Sequence, residues 1–328
     1  MHTLYQELSD VSRYIQNNCH LTLEDHQPKF EDYLRRVNRF RRVDSSAEIL
    51  EIGIGTGWFP ILCRAQGLAC KGLDISPELV DYARCFGRRY GIEPDVEVAS
   101  IETYDLGQES YDVIIAASVF EHVQNWEEAM RKVYEALKPG GVLLFESTNK
   151  FSLTSGEFDF PLYGWLPDRW RYRLRIARQG PEIMNLGIDF HQFTYPLLRR
   201  VFRKLGFTQI VDRVSLADVD FVSPRKRFLV RVAKRFRLFR ELVLAFASTT
   251  TFVCVKGWRS PALGSGSNLP QNGSTNPALT NTPDRPRGGM SLKTRTPRVE
   301  SIPTWRWSVR TRSFEMAGFE GRPAICPV

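Results

Sequence analysis

The chain has few cysteines and no long apolar run, and these absences exclude several classes of protein. Its 328 residues include six scattered cysteines, with no C-x-x-C pair or other metal-ligand spacing. We therefore expect no metal site and a reducing compartment. The apolar segment at 242–247 is far shorter than the roughly 20 residues that span a bilayer. The polar N-terminus lacks the apolar centre of a secretion signal, so a cytoplasmic protein is predicted.

Excess positive charge is confined to two segments of the chain. The net charge is +8, yet residues 225–240 alone hold eight basic residues and no acidic residue. Residues 259–328 hold ten basic and four acidic residues, so the rest of the sequence is net acidic. This distribution does not favour a general nucleic-acid-binding surface, and we expect no nucleic-acid partner.

From residue 48 onward, short apolar runs alternate with helical patterns. Five runs lie at 49–53, 69–74, 95–99, 112–117 and 142–146. Such alternation predicts parallel strands with helices on both faces of the sheet. Two later runs, at 208–216 and 249–258, extend the prediction to an α/β fold with a doubly wound, mostly parallel, seven-stranded sheet.

The sequence divides into three parts of different character. Residues 1–44 are predicted to form helices that cover a ligand site or a sheet edge. Residues 45–258 form the α/β domain, which is interrupted by insertions at 149–193 and 218–247. Residues 259–328 hold nine of the 19 prolines. This composition predicts a disordered C-terminal tail.

The stretch ILEIGIGTGWF, residues 49–59, runs from an apolar strand into closely spaced glycines. A dinucleotide fingerprint, G-x-G-x-x-G, needs its third glycine for close packing of helix on strand. Gly53 and Gly55 fit that pattern, but Trp58 holds the third position and Gly57 comes one residue early. The result is E-x-G-x-G-x-G from Glu51 to Gly57, which disfavours an NAD-dependent oxidoreductase.

Other polar residues follow the later strands, where ligands bind in open α/β sheets. Asp74 ends the second run, 23 residues after Glu51, and its carboxylate could accept both hydroxyls of a ribose. A turn residue is the alternative for Asp74. Ser100 and Ile101 follow the third run, and the motif S-V-F-E-H at 118–122 follows the fourth.

Together with L-K-P-G-G before the fifth strand, these motifs resemble the class I methyltransferases that depend on S-adenosylmethionine (SAM). They resemble especially the small-molecule branch that includes ubiquinone-biosynthesis O-methyltransferases, and the resemblance covers about residues 45–258. The resemblance implies a Rossmann-like fold and SAM as cofactor. It implies these cofactor-binding residues: Glu51, Gly53, Gly55, Gly57, Asp74, Ile75, Ser100, Ile101 and Ser118.

The same resemblance implies a role for each group. Glu51 and the glycines would hold the methionine end of SAM, and Asp74 would hold the ribose. Ile75 and Ile101 would flank the adenine, whereas the backbone near Ser118 would contact the amino acid. Methyltransferases often carry an acidic residue near Ser100, so this position departs from the pattern unless Glu102 substitutes.

The acceptor is less defined by the sequence than the cofactor. Methyltransferases of base amines typically show an N-P-P-Y motif where this chain has S-V-F-E-H. We therefore expect a small-molecule acceptor, with a hydroxyl of a sugar, quinone-like or lipid-linked compound favoured. One alternative is a nitrogen or carbon acceptor. Another is a SAM-binding module without turnover that acts as a membrane-surface scaffold.

A hydroxyl acceptor needs a base, and two histidines are candidates for catalysis. His191 precedes a predicted helix near the expected substrate entrance, where it is either a general base or a loop residue. His122 follows Glu121, where ubiquinone-type relatives bind a divalent cation through E-x-x-E-H. Because Ser118 takes the first position of that motif here, a structural role for His122 is also predicted.

The two insertions have distinctive compositions. Residues 151–195 contain ten aromatic residues and the arginine-rich segment RWRYRLRIAR. They predict a lid over the site. Its rings could stack on an aryl or sugar acceptor while its arginines pair with a phosphate or carboxylate of that acceptor. Alternatively, the lid shields the reaction from water and its arginines are solvated on the outside. Residues 225–246 fit one basic amphipathic helix. This pattern is typical of contact with an anionic membrane surface, and also of a helix packed on the sheet.

Overall fold

The structure is a computed structural model that describes residues 11–155, 158, 160–181, 188–218 and 224–258. The tail predicted at 259–328 lies outside the described residues. So do residues 1–10 and short segments of both insertions.

The described residues form a seven-stranded sheet in the order β3-β2-β1-β4-β5-β7-β6. Strands β1 to β5 are parallel, and β7 runs antiparallel to both of its neighbours, β5 and β6. The predicted seven-stranded, mostly parallel sheet is thus confirmed. The strands are β1 Glu48–Ile52, β2 Ala69–Asp74, β3 Asp95–Val98, β4 Tyr111–Ala117, β5 Leu137–Thr148, β6 Phe207–Asp212 and β7 Thr249–Lys256.

Helices cover both faces of this sheet, as a parallel sheet requires. The helices are α1 Val11–Asn18, α2 Leu23–Asn38, α3 Trp58–Ala65, α4 Pro77–Arg88, α5 Trp126–Ala136, α6 Asp168–Gln179, α7 Tyr195–Leu205, α8 Arg213–Leu216, α9 Pro224–Arg235 and α10 Arg237–Ala245. None of the helices described here has the length and apolar character needed to cross a bilayer.

Two apolar cores lie on opposite faces of the sheet, and successive residues of β5 point into each of them. Phe145 packs with Trp126 of α5 and Phe202 of α7 on one face. Leu144 packs with Phe30 of α2 on the other face, together with residues of α3. The N-terminal helix α2 is therefore part of the domain core.

The helix α2 begins at Leu23, directly after Thr22. Thr22 caps it, because its hydroxyl accepts the N–H of Asp25 while the Asp25 carboxylate accepts the N–H of Thr22. This reciprocal pair satisfies two backbone donors that would otherwise lack partners. Pro28 lies inside the helix.

Two predicted strand limits are wrong. The run at 208–216 is a strand only to Asp212, whose carboxylate accepts the N–H of Ser215 at 3.2 Å and so caps α8. At the L-K-P-G-G segment, the strand β5 already begins at Leu137. Its pairing with β4 is shifted between Leu137 and Val142, so the glycines lie in a bulge within the strand.

The predicted single amphipathic helix at 225–246 is also wrong, because Phe236 breaks it. Phe236 has φ −115° and ψ 112°, which are extended values between α9 and α10. The break divides the apolar side chains of this segment into two groups. Phe239 and Val243 pack on the core, whereas Phe228, Phe236 and Phe246 are exposed.

One contact sets how closely α3 and α4 approach each other. Gly57 precedes α3 with φ +76°, and a Cβ added there would lie 2.3 Å from the Cβ of Ala83 in α4. Gly67 has a similar φ of +73° but open space around it. Alanine substitutions at the two glycines therefore distinguish the cost of positive φ from the cost of steric overlap.

We predict that Gly57→Ala lowers the free energy of unfolding by about 2–4 kcal/mol, because it adds overlap to the strain of positive φ. Gly67→Ala should cost only about 1–2 kcal/mol, which is the strain alone. Urea denaturation followed by circular dichroism measures both variants. Equal losses in the two variants would show that the contact with Ala83 adds no constraint.

Candidate active site

The glycine loop turns from β1 into α3 through three residues of positive φ. Gly53, Gly55 and Gly57 have φ values of +73°, +54° and +76°. A Cβ at Gly55 would lie 2.8 Å from the hydroxyl of Tyr14, and one at Gly53 would lie 2.8 Å from Val119. The loop is thus a narrow cradle between α1 and the segment that follows β4.

Glu51 lies at the end of β1, beneath this cradle, and is only 4% exposed. Within the described residues its Oε2 has no hydrogen-bond partner. Burial raises the pKa of Glu51 well above its ordinary value; the charge of Lys29 opposes this effect and the charge of Asp74 adds to it. A buried oxygen that lacks a protein donor fits a cationic ligand, such as the ammonium group of a methionine moiety.

Asp74 lies at the end of β2 and faces the same loop. Its Oδ2 accepts the N–H of Gly55 at 3.2 Å, and its Oδ1 accepts the N–H of Ser76 at 3.0 Å. Burial raises the pKa of Asp74 to about 6, although these backbone bonds act in the opposite direction. The hydroxyl of Ser76 also caps α4, because it accepts the N–H of Leu79.

The residues predicted to surround an adenine follow β2 and β3. Ile75 and Ser100 are half-buried, and Ile101 is buried in the core on the side of α5. Glu102 does not take the position of Ser100, because its carboxylate accepts the N–H of Asn125 at the start of α5. The adenine contacts stay predictions.

Ser118 connects the glycine loop to a polar cavity. It has an unusual φ of +56° for a residue with a side chain. Its N–H donates to the carbonyl of Glu146 at 2.8 Å, so the predicted backbone contact with the amino-acid end of SAM requires the carbonyl of Ser118. The next residue, Val119, packs against Gly53.

The polar cavity beside Ser118, here called the acceptor pocket, lies where β4, β5 and β7 meet the first insertion. Seven of its eleven lining residues carry a hydroxyl group, and none is aromatic. The lining residues are Ser118, Glu121, Thr148, Asn149, Ser152, Thr154, Ser155, Gly164, Gln192, Ser248 and Thr249. A ligand in this pocket would be held by hydrogen bonds.

Glu121 is the carboxylate that lines the acceptor pocket. It is fully buried, and its Oε2 accepts the hydroxyl of Ser147 at 2.6 Å. Glu121 and Gln192 line the pocket, whereas the adjacent candidate bases, His122 and His191, do not. Among the residues that the structure describes, no group of three or more His, Cys, Asp or Glu side chains is arranged to hold a metal ion.

The ring of His191 faces α5. Its Nε2 lies 3.1 Å from the carbonyl of Gln124, and since a carbonyl only accepts, this nitrogen is the donor. The ring centroid is 6.2 Å from that of Trp126. Only Nδ1 would then be available to accept a proton, so the predicted role of His191 as a base requires that atom.

The arginines of the first insertion do not line the acceptor pocket. Arg171 is fully buried and donates to the carboxylate of Asp189 at 2.6 Å, which also accepts the hydroxyl of Tyr163 at 2.9 Å. Arg175 is buried beside the same carboxylate. This network holds the insertion together, so Arg171 and Arg175 are unavailable to an acceptor phosphate.

Two site residues come from the N-terminal helices and were missed by the sequence analysis. Tyr14 of α1 places its hydroxyl over Gly55. Lys29 of α2 places its ammonium 5.4 Å from the ring centre of Trp58 and 5.5 Å from that of Tyr33, and its charge acts on Glu51. No motif marks these residues, because only the packing of α1 and α2 brings them to the loop.

Comparison with known proteins gives one family match and several relatives. The methyltransferase domain family matches residues 25–211, more than half of the chain. A ubiquinone biosynthesis O-methyltransferase of Paramagnetospirillum magneticum is 26% identical over 172 residues, which is 50% of this chain and 68% of that protein. One from Xanthomonas oryzae is 31% identical over 109 residues, 32% of this chain and 45% of that protein. The chain thus spans less than half of the Xanthomonas relative.

Solved structures of low identity are also similar to this chain. Phosphoethanolamine N-methyltransferase 2 of Haemonchus contortus, in complex with SAM, is 16% identical with a TM-score of 0.50, covering 78% of this chain and 60% of that one. A SAM-dependent methyltransferase of Mesorhizobium loti is 20% identical with a TM-score of 0.46, covering 71% of this chain and all of that one.

The raised pKa of Asp74 predicts how the stability of the protein depends on pH. Its pKa of about 6 lies above its ordinary value, so the folded state binds this proton more tightly than the unfolded chain does. Stability of the unliganded protein should therefore fall as the pH rises from about 4 to about 6. Asp74→Asn removes this penalty and should be more stable above pH 6 by up to about 3 kcal/mol.

The same substitution should weaken SAM binding by about 10-fold or more, because the ribose hydroxyls lose a charged acceptor. For the native protein, SAM affinity should fall as the pH drops through about 6. Thermal unfolding without ligand and calorimetric titration with SAM, each across this pH range, measure the two effects. Loss of stability at neutral pH in Asp74→Asn would contradict the assignment.

Lys29 generates a second prediction. Lys29→Met keeps the apolar stem against Trp58 but removes the charge, and SAM binding should weaken by about 10-fold because the methionine carboxylate loses a cation. Lys29→Arg should restore most of the affinity. Lys204→Met, at an exposed position of α7, is the matched control. An unchanged dissociation constant for Lys29→Met would exclude this contact.

Three observations agree on the identity of the chain. The glycine cradle, the Asp74 carboxylate and a Glu51 oxygen that has no donor within the described residues fit a cationic nucleoside. The family match spans these residues, and the sheet has the fold of a methyltransferase solved with SAM. The chain therefore belongs to the methyltransferase domain family and is a class I methyltransferase that uses SAM.

Proposed function

We propose that this methyltransferase transfers its methyl group to a hydroxyl of a small polar acceptor, such as a sugar. The observation that carries the proposal is the lining of the acceptor pocket, which is rich in hydroxyl and amide groups and free of aromatic rings. Such a lining matches an acceptor that carries several hydrogen-bonding groups. The relatives named as O-methyltransferases support oxygen as the acceptor atom.

None of the described aromatic residues of the insertion lines the acceptor pocket, which argues against an aryl acceptor. Phe193 packs edge-to-face on Trp126, and Tyr163 contacts Phe158. Their rings thus contribute to packing instead of lining the acceptor pocket. An acceptor in this pocket would meet side chains such as Thr148.

The SAM sulfonium, when bound, supplies an activated methyl group. The chain must then align the acceptor and remove its proton. Ser118 lies between the glycine loop and the acceptor pocket, so an acceptor beside it would face the cofactor. Glu121 lines the same pocket, and its carboxylate is the group that we assign as proton acceptor, with Ser147 holding it in place.

We expect purified protein with isotope-labelled SAM to methylate members of a panel of polyhydroxylated compounds, seen as the mass of one added methyl group. Phenols and amines of similar size complete the panel. Methylation confined to amines or to carbon would refute the proposal.

Glu121→Gln keeps the size of the side chain and an acceptor for Ser147 but removes the base. Turnover should fall by about 100-fold or more, with SAM affinity unchanged, because a proton acceptor contributes in that range. His191→Ala tests the alternative base in parallel. If His191→Ala loses turnover while Glu121→Gln retains it, the assignment of Glu121 is wrong.

A further inference from the structure

A continuous strip of exposed apolar side chains runs from α10 to the first insertion. Leu238, Leu242 and Phe246 are 84%, 57% and 47% exposed. Trp165 stacks on Phe246 with ring centroids 6.1 Å apart, and Phe151 contacts Trp165 at 5.4 Å. We call these five residues the apolar rim. A contiguous exposed patch of this kind marks an interaction surface.

The apolar rim borders the acceptor pocket. Phe151, Leu238 and Leu242 line an apolar groove that includes Asn149, and Asn149 also lines the acceptor pocket. The Nδ2 of Asn149 donates to three carbonyls at the end of α10, at 2.8 to 3.0 Å. The rim is thus fixed beside the pocket by direct hydrogen bonds.

Exposed basic side chains lie on α10 and on the neighbouring helix α9. Arg231, Arg235 and Arg237 are exposed on α9 and α10, in a segment whose residues 225–240 include no acidic residue. Two further rings, Phe228 and Phe236, are 71% and 58% exposed among them. Exposed rings interleaved with arginine are the composition of a surface that enters the headgroup layer of an anionic membrane.

We propose that the apolar rim and the basic residues of α9 and α10 form a docking surface for an anionic lipid bilayer. A nucleic acid would pair with the arginines but leave Leu238 and Leu242 in water. A protein partner would cover the apolar rim without requiring this density of positive charge. A bilayer surface uses both features, and docking there places the acceptor pocket next to the membrane.

The test is co-sedimentation of the full chain with vesicles. The protein should bind vesicles of phosphatidylglycerol and phosphatidylcholine at low salt, bind less at high salt, and stay in solution with phosphatidylcholine alone. Leu238→Ser with Leu242→Ser should weaken binding by about 10-fold, because two apolar side chains no longer enter the interface. Arg231→Gln with Arg235→Gln should weaken binding by a similar factor and reduce its salt dependence.

Matched controls distinguish the surface from net charge. Arg64→Gln with Arg89→Gln removes the same charge from exposed positions at the far ends of α3 and α4, and should bind like the native chain. Calorimetry with SAM verifies that every variant is folded. The proposal fails if native protein does not sediment with anionic vesicles, if both docking variants bind like the control, or if a nucleic-acid competitor strips the protein from the vesicles.

This inference does not depend on the proposed acceptor. Methylation of a soluble hydroxyl compound would persist in the Leu238 and Leu242 variant, because neither residue lines the acceptor pocket. Lost vesicle binding with retained turnover therefore tests the surface alone. Absent turnover with retained vesicle binding would refute the proposed function and leave the docking surface standing.

Discussion

Two buried carboxylates at neighbouring strand ends determine the character of the cofactor site. Glu51 and Asp74 are 4% and 7% exposed, and burying negative charge is costly unless partners compensate it. Backbone N–H groups compensate Asp74, whereas one oxygen of Glu51 has no donor among the residues that the structure describes. The protein thus holds a site that a positively charged ligand stabilises, and SAM carries that charge on both its sulfonium and its ammonium.

The sequence signals that predict the cofactor site are local. Strand, glycine turn and helix cap follow one another between Glu51 and Ser76, and each depends on a few adjacent residues. Tyr14 and Lys29 carry no such signal, since only tertiary packing brings α1 and α2 to the loop. The break at Phe236 was missed for a related reason. No glycine or proline marks it, and packing of Phe239 and Val243 on the core is visible only in the fold.

The acceptor side shows how composition can mislead. Ten aromatic residues and a run of arginines in the first insertion suggested stacking and ion pairing with a ligand. In the fold, Arg171 and Tyr163 converge on Asp189 and stabilise the insertion instead. The acceptor pocket is lined by serine, threonine and amide side chains, which are common throughout sequences. Selectivity that depends on such residues arises from their spatial arrangement.

The position of β7 has a consequence for biosynthesis. β7 is the last strand of the domain in sequence, yet it lies between β5 and β6 and supplies the hydrogen-bonding edge for both. Until residue 256 has left the ribosome, β5 presents an open edge and β6 has no neighbour in the sheet. Nascent chains therefore expose the edge of β5 to pairing with other chains while residues 149–256 are synthesised, and completion of the sheet is a late, long-range step.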